Sequence, residues 1–162
     1  MFKYNALRSI ARSTGFVAKR TLATEAPSAS SSLKLSFSLP FKTLYNNAEV
    51  IQVNIPAGTG VMGVLANHVP TVEELKPGVV TIIESQGKSS TFFINGGFAT
   101  IQPNSKLSIT ATEAFSLDSF DASEIKSQIT EAQKNVNSQD PEVAAQASIQ
   151  LEVLTALESV AK

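Results

Sequence analysis

The chain has 162 residues, 43% hydrophobic and 17% charged, with a formal net charge of −1, which suits one medium globular domain or two small ones. It has no cysteine and one histidine, His68. A disulfide framework, a thiolate nucleophile and Cys- or poly-His-ligated zinc are therefore excluded, and no D-x-D-x-D-G loop marks a calcium or magnesium site.

The charge is unevenly placed. Residues 1–22, MFKYNALRSIARSTGFVAKRTL, hold Lys3, Arg8, Arg12, Lys19 and Arg20 and no acid. Phe2, Ala6, Leu7, Ile10, Ala11 and Val17 recur among them at roughly helical spacing. An acid-free, arginine-bearing amphipathic start is the pattern of a mitochondrial transit peptide, and RTLA at 20–23 reads as a cleavage point before Ala23. A basic tail for a membrane surface or nucleic acid is the alternative. No apolar run approaches the roughly 20 residues of a membrane span. From Ala23 onward, eight lysines against 14 acids leave a net charge of −6, with no arginine. The guanidinium fork for phosphate and the basic stripe for nucleic acid are both missing from that part of the chain. Nucleic-acid binding is set aside.

Residues 23–32, ATEAPSASSS, have little to bury and read as a disordered leader. A β domain is expected over 33–117. It opens with LKLSFSL (33–39), which alternates strictly and puts Leu33, Leu35, Phe37 and Leu39 on one face. VIQVNI (50–55), VVTIIE (79–84), TFFI (91–94), FATIQ (98–102) and KLSITATEAF (106–115) follow. Pro40, Asn46–Asn47, Pro56, KPG (76–78), QGK (86–88), NGG (95–97) and PNS (103–105) separate them. Short strands punctuated this often predict an all-β sandwich or barrel.

The period changes over 118–162. Asp121 with Glu124 three residues on fits a capping box, and Ala122, Ile125, Ile129, Ala132 and Val136 then share one helical face. Asp140 and Pro141 supply an N-cap and a first-turn proline for a second helix. Its stripe is Val143, Ala147, Leu151 and Leu154, broadened by Val153 and Leu157. The short connection predicts an antiparallel hairpin, with Ala144, Ala145, Ala147 and Ala156 permitting close approach. The expected fold class is α+β: a β-sandwich followed by a two-helix hairpin.

The stretch VNIPAGTGVMGVLANHVP (53–70) holds the most suggestive motif. Gly58, Gly60 and Gly63 stand in G-x-G-x-x-G spacing, and Glu84 follows about twenty residues later, as in a dinucleotide-binding fingerprint. That fingerprint needs a helix directly after the loop. Pro70 and Pro77 lie where it would run, and an interior proline costs about 3 kcal/mol. The glycines instead read as turn and close-approach residues around a short strand, VMGVLA. QGKSS (86–90) resembles the end of a P-loop, but Ile82 stands where the first glycine belongs; a hairpin turn is expected. His68 lacks a G-x-S-x-G partner and reads as a loop or turn residue before Val69 and Pro70. Glu73 and Glu74 would point to opposite faces of a strand, solvated rather than paired. No catalytic, cofactor-binding or metal-binding set emerges.

These segments carry a resemblance. G-x-x-G-x-L-x-x-H-x-P at 60–70, LKPG at 75–78, the glycine pair at 96–97 and the order of β region then hairpin over 33–162 resemble the F-type ATP synthase subunits called δ in mitochondria and ε in bacteria and chloroplasts. The resemblance implies a sandwich of about ten strands packed beside the hairpin. It implies a place in the central stalk of the rotary motor, on the matrix side of the mitochondrial inner membrane. The implied partners are the γ subunit, the small ε subunit and the polar loops of the c-ring. The implied role is mechanical, coupling c-ring rotation to γ with no catalytic residue and no cofactor. A free-standing β-sandwich adaptor of the matrix is the competing reading, and a nucleotide-binding enzyme a third.

The resemblance also places the glycine loop at the foot of the stalk, where Val61, Met62 and His68 would help to form the c-ring contact. In a strand, Val61 and Leu65 share a face with Gly63, while Met62 and Val64 take the other. One face can enter the core, and Met62 as a core residue is the alternative. One departure concerns nucleotide. Some bacterial relatives bind ATP through an acidic-x-x-Arg-Ala motif at the start of the hairpin. FDASEI (120–125) keeps Asp121 but has Glu124 in place of the arginine, and a carboxylate there repels a triphosphate.

Overall fold

The computed structural model describes residues 32–84 and 87–161; the transit peptide read at 1–22 and all but Ser32 of the leader read at 23–32 fall outside them. Nine strands and two helices are described: β1 (Leu33–Ser38), β2 (Thr43–Ala57), β3 (Gly60–Leu65), β4 (Thr71–Leu75), β5 (Gly78–Glu84), β6 (Ser89–Ile94), β7 (Gly97–Gln102), β8 (Lys106–Ala111), β9 (Ala114–Ser116), α1 (Ala122–Asn135) and α2 (Pro141–Glu158). A 3-10 turn, Leu117–Ser119, leads from β9 toward α1.

The strands form one hydrogen-bonded sheet folded into two layers, and β2 is the strand they share. Its first half pairs with β1; from Gln52 to Ala57 it pairs with β3 on one side, while on the other β5 takes Val50 to Asn54 and β4 meets Ala57 at Leu75. One layer therefore runs β1-β8-β7-β4, with β1 and β8 parallel, and the other β3-β2-β5-β6-β9. Alternation decides which side faces inward: Leu33, Leu35 and Phe37 are fully buried, whereas Lys34, Ser36 and Ser38 are half-covered. They meet Val53, Ile55, Ile82, Ile94 and Ile109 in a core between the layers. Phe37 packs edge-on against Phe92 at 5.9 Å, an arrangement that adds to plain area burial.

The sheet departs from expectation at several places. β2 continues through Asn46–Asn47 and through Pro56, all expected to break it. Asn47 takes φ 52 beside a shift in the β1–β2 register, a left-handed conformation that asparagine tolerates in a bulge. Pro56 lacks an N–H, but its carbonyl accepts from the Lys76 amide at 2.9 Å, so the pairing continues near the strand end. β4 was not anticipated, because TVEEL buries only Leu75; its pairing with β7 makes it a strand. KLSITATEAF divides, with β8 pairing to β7 and β9 to β6, so the chain changes layers between them. The count is nine strands among the described residues, rather than about ten.

The hairpin lies on the outer side of β5 and β6. Ile125, Ile129 and Leu157 pack with Phe93 and the half-buried Val79 in a second, smaller core, and Phe120 stands edge-on to Phe93 at 5.9 Å. Asp121 caps α1, but its side chain engages Ser123 through the amide at 2.8 Å and the hydroxyl at 2.7 Å. The Glu124 amide contributes weakly as well, but the return bond from the Glu124 side chain that the expected box requires is not present among the described residues. The Ser123 hydroxyl, and then its amide, hold the Asp121 carboxyl below the usual carboxylate range. Asp140 caps α2 through the Glu142 amide at 3.0 Å, with Pro141 in the first turn. The α1 face is as expected, with Ile125, Ile129 and Ala132 buried. In α2 the buried residues are Ala147 and Leu157; Val143 and Ala145, expected inside, are exposed. Apolar side chains surround α2, so its own pattern does not single out a buried stripe.

Candidate functional site

The candidate site lies along β3 and its two ends. Gly58 and Thr59 make the β2–β3 turn, and Gly60 opens β3 with φ +129, a conformation closed to residues with a side chain. A Cβ on Gly60 would meet nothing within 4 Å, so backbone conformation alone accounts for it. Gly63 serves close approach instead. A Cβ there would stand 3.2 Å from both Asn54 Oδ1 and Gln52 Nε2, which are hydrogen-bonded to each other at 2.7 Å. Gly58 donates its amide to the Glu74 carbonyl at 3.1 Å. β3 is followed by a turn and then β4, so the helix N-terminus that a pyrophosphate requires is not there.

The other nucleotide-like features resolve in the same direction. Glu84, at the end of β5, accepts from the Tyr45 hydroxyl at 3.0 Å. Burial foremost, with the Glu84 carboxylate adding to it against an opposing bond to Ser90, pushes the Tyr45 phenol above its ordinary range. Where a hairpin turn is expected at QGK, β5 and β6 pair antiparallel, the Glu84 amide donates to the Lys88 carbonyl at 2.8 Å and Gly87 takes φ +75; Gln86 lies outside the described residues. Glu73 and Glu74 lie on opposite faces of β4 and do not pair. No group of three side chains able to hold a metal occurs among the described residues. No helix among them is long and apolar enough to cross a membrane.

Register across β2 and β3 sorts the candidate interface residues. Met62 lies opposite Ile55 and Val64 opposite Val53; Val64 is fully buried, and Met62 is half-buried against the same core. Val61, Gly63 and Leu65 face outward, with Val61 79% exposed. His68 follows in the turn after the strand. Its amide donates to the Leu65 carbonyl at 3.3 Å, and its Nδ1 lies 2.9 Å from the Val69 carbonyl. Val61 and Leu65 thus share a face about 13 Å long by strand rise, Met62 points to the other side, and His68 lies beyond the strand end.

Two features went unread in the sequence. Val69 and Val72 add exposed apolar side chains to those of Val61 and Leu65; their signal was the absence of charge from Val50 through Val72. The other is a partner for the turn. Ser105, the buried polar residue of the described chain, accepts from the Asn67 amide at 2.8 Å and donates to Asn67 Oδ1 at 3.3 Å.

Residues 32–116 match the family model of the ATP synthase delta/epsilon chain β-sandwich domain, and residues 120–159 that of the C-terminal domain of the fungal epsilon subunit of F1F0-ATP synthase. The chain is 58% identical over 155 residues to the mitochondrial ATP synthase subunit delta of Saccharomyces cerevisiae, covering 96% of each chain. It is 53% identical over 163 residues to that of Kluyveromyces lactis, covering 100% of each. Among solved structures, a chain of the Euglena gracilis mitochondrial ATP synthase OSCP/F1/c-ring assembly superimposes with a TM-score of 0.79 at 26% identity, over 98% of this chain and 95% of that one. The same order of β-sandwich and helical hairpin, matched end to end, makes this chain a member of the ATP synthase delta/epsilon subunit family.

Proposed function

We propose that this chain is a non-catalytic central-stalk subunit of a mitochondrial ATP synthase, linking the γ subunit to the c-ring and coupling proton-driven rotation to ATP synthesis. The observation that carries the reading is likeness along nearly the whole chain to relatives named as mitochondrial delta subunits. Residues 1–22 act as the transit peptide, and the mature chain works as a peripheral subunit on the matrix side of the inner membrane. The γ and small ε subunits dock on the sandwich and hairpin, and the polar loops of the c-ring meet Val61, Met62 and His68. The uncharged run from Val50 to Val72 supports a contact that must shed water. Met62, half-buried on the core side, reaches that contact only with the outer part of its flexible side chain.

ATP has no part in this role. The mature chain lacks arginine, and Asp121 is engaged in capping α1. Calorimetry of the mature chain with millimolar Mg-ATP is expected to show no saturable heat.

Affinity capture from detergent-solubilised mitochondria tests the reading, with the γ, small ε and c subunits expected among the co-purifying proteins. Gel filtration that separates the chain from every large ATPase assembly would favour the adaptor reading instead. Val61→Asp is the sharper probe of the c-ring contact, since an outward side chain with this exposure tolerates charge without loss of fold. The variant is expected to stay folded and to weaken coupling of proton flow to synthesis. Unchanged coupling in the assembled complex removes Val61 from the contact.

A further inference from the structure

Three segments far apart in sequence meet at Ser105, at the end of the sandwich that carries the 66–70 loop. Its hydroxyl accepts from the Asn67 amide at 2.8 Å and donates to Asn67 Oδ1 at 3.3 Å. Its carbonyl accepts from the Lys34 amide at 2.8 Å, at the start of β1. Ser105 is 3% exposed. A hydroxyl so buried is destabilising unless partnered, and here one loop residue uses both its donor and its acceptor capacity. The backbone conformation is costly as well: Asn67, Asn104 and Ser105 hold φ of 61, 67 and 55. Asparagine tolerates this left-handed region, whereas serine seldom enters it. Such strain persists where the surroundings over-determine it, and it concentrates at binding segments.

The loop held in this way presents something. Val69 is 72% exposed, and the His68 ring nitrogen lies against the Val69 carbonyl. A loop tied to a buried hydroxyl has fewer conformations open to it before any partner arrives, which lowers the ordering cost of association.

We propose that Ser105 is a positioning residue for assembly: its hydroxyl pins the Asn67–Pro70 loop, which carries His68 and Val69, in the conformation that the c-ring receives. The inference rests on the stalk reading above and names how one of its surfaces is prepared. Ser105→Ala removes the hydroxyl. Ser105→Gly removes it and also relieves the left-handed backbone, so a loss common to both variants belongs to the hydroxyl rather than to strain.

Two measurements on the full mature chain decide it. Hydrogen exchange at the Asn67 and His68 amides is expected to rise about tenfold in both variants, the loss of a hydrogen bond of ordinary strength, while β-core amides keep their protection. When tagged variant and untagged normal chain are co-expressed in mitochondria, the variant's share of purified ATP synthase is expected to fall about tenfold. Ile82→Val, a mild core variant in β5, serves as the stability control and is expected to enter the complex like the normal chain. Unchanged loop exchange overturns the proposal, and so does faster loop exchange with undiminished entry into the complex. Faster exchange throughout the sandwich overturns it too, making Ser105 an ordinary stabilising residue. A normal chain that never enters the complex removes the stalk reading and this proposal with it, an outcome distinct from the other three.

Discussion

The sandwich and the hairpin are held together on different terms. The sandwich encloses a core between two layers, and all eleven of its largest fully buried side chains lie in β1 through β8. The hairpin contributes none of those eleven. It rests one face on Val79 and Phe93 through Ile125, Ile129 and Leu157, and leaves Ile149 65% exposed. Charge divides along the same line. Residues 33–117 carry five lysines and five acids, whereas 118–162 carry three lysines and eight acids, so self-repulsion falls almost wholly on the helices. Helices of this length are marginal alone in water. The sandwich is therefore the rigid body, and the hairpin is an acidic attachment whose order depends on the sheet beneath it.

The largest test of this contrast is Phe37→Ala. Phe37 is fully buried and in aromatic contact with Phe92, so its truncation is expected to cost about 3–5 kcal/mol. Because the hairpin depends on the sheet, denaturant titrations followed by near-UV and far-UV signals should shift together. A helical signal that outlives the sandwich would break the comparison. Leu157→Ala is expected next, near the lower end of about 2–5 kcal/mol, since the second core is small. Leu151→Ala, at a half-buried position, should cost less. Hydrogen exchange after Leu157→Ala should rise over 120–161 and stay low in β1 and β8; equal losses in both regions would merge the two into one cooperative unit.

Smaller effects sharpen the contrast within each part. Gly60→Ala is expected to cost about 1–3 kcal/mol through conformation alone, since φ is +129 with open space around the added carbon. Gly58→Ala, where an added Cβ would make only an ordinary contact with Lys76 Cε at 3.9 Å and φ is not positive, should be close to neutral, and thermal melts of the pair would separate turn strain from packing. The smallest expected effect is a pH dependence confined to the hairpin. The Asp121 carboxyl is held below its ordinary value of 3.8 by Ser123. Its contribution is thus present above the unfolded-state value and lost as pH falls through the depressed one. Amide exchange in the first turn of α1 should rise on acidification below about pH 4, more in the normal chain than in Asp121→Asn, which keeps a capping oxygen without the charge.

The sequence by itself determined the class of the fold and much of its chemistry. Strict alternation at 33–39 settled which side of β1 faces the core, because a slip of one residue would expose the whole set. Asp121 and Asp140 marked where both helices start, since capping is a local hydrogen bond between near neighbours. The missing arginine and cysteine limited the chemistry before any fold was known. The G-x-x-G-x-L-x-x-H-x-P run and the order of the two parts identified the family. Tertiary structure decided the rest. TVEEL has no apolar alternation, and only pairing with β7 makes it a strand. β3 is apolar on both faces, so local pattern cannot choose between Val61 and Met62; pairing of Met62 with Ile55 and Val64 with Val53 sends that face inward. In α2 the sheet beneath selects Leu157 over Val143. Ser105 and Asn67 stand 38 residues apart, and neither carries a local signal of the other. A cap or an alternating strand acts over a few residues and is written in the chain, whereas burial and long-range hydrogen bonds exist only once the layers have closed.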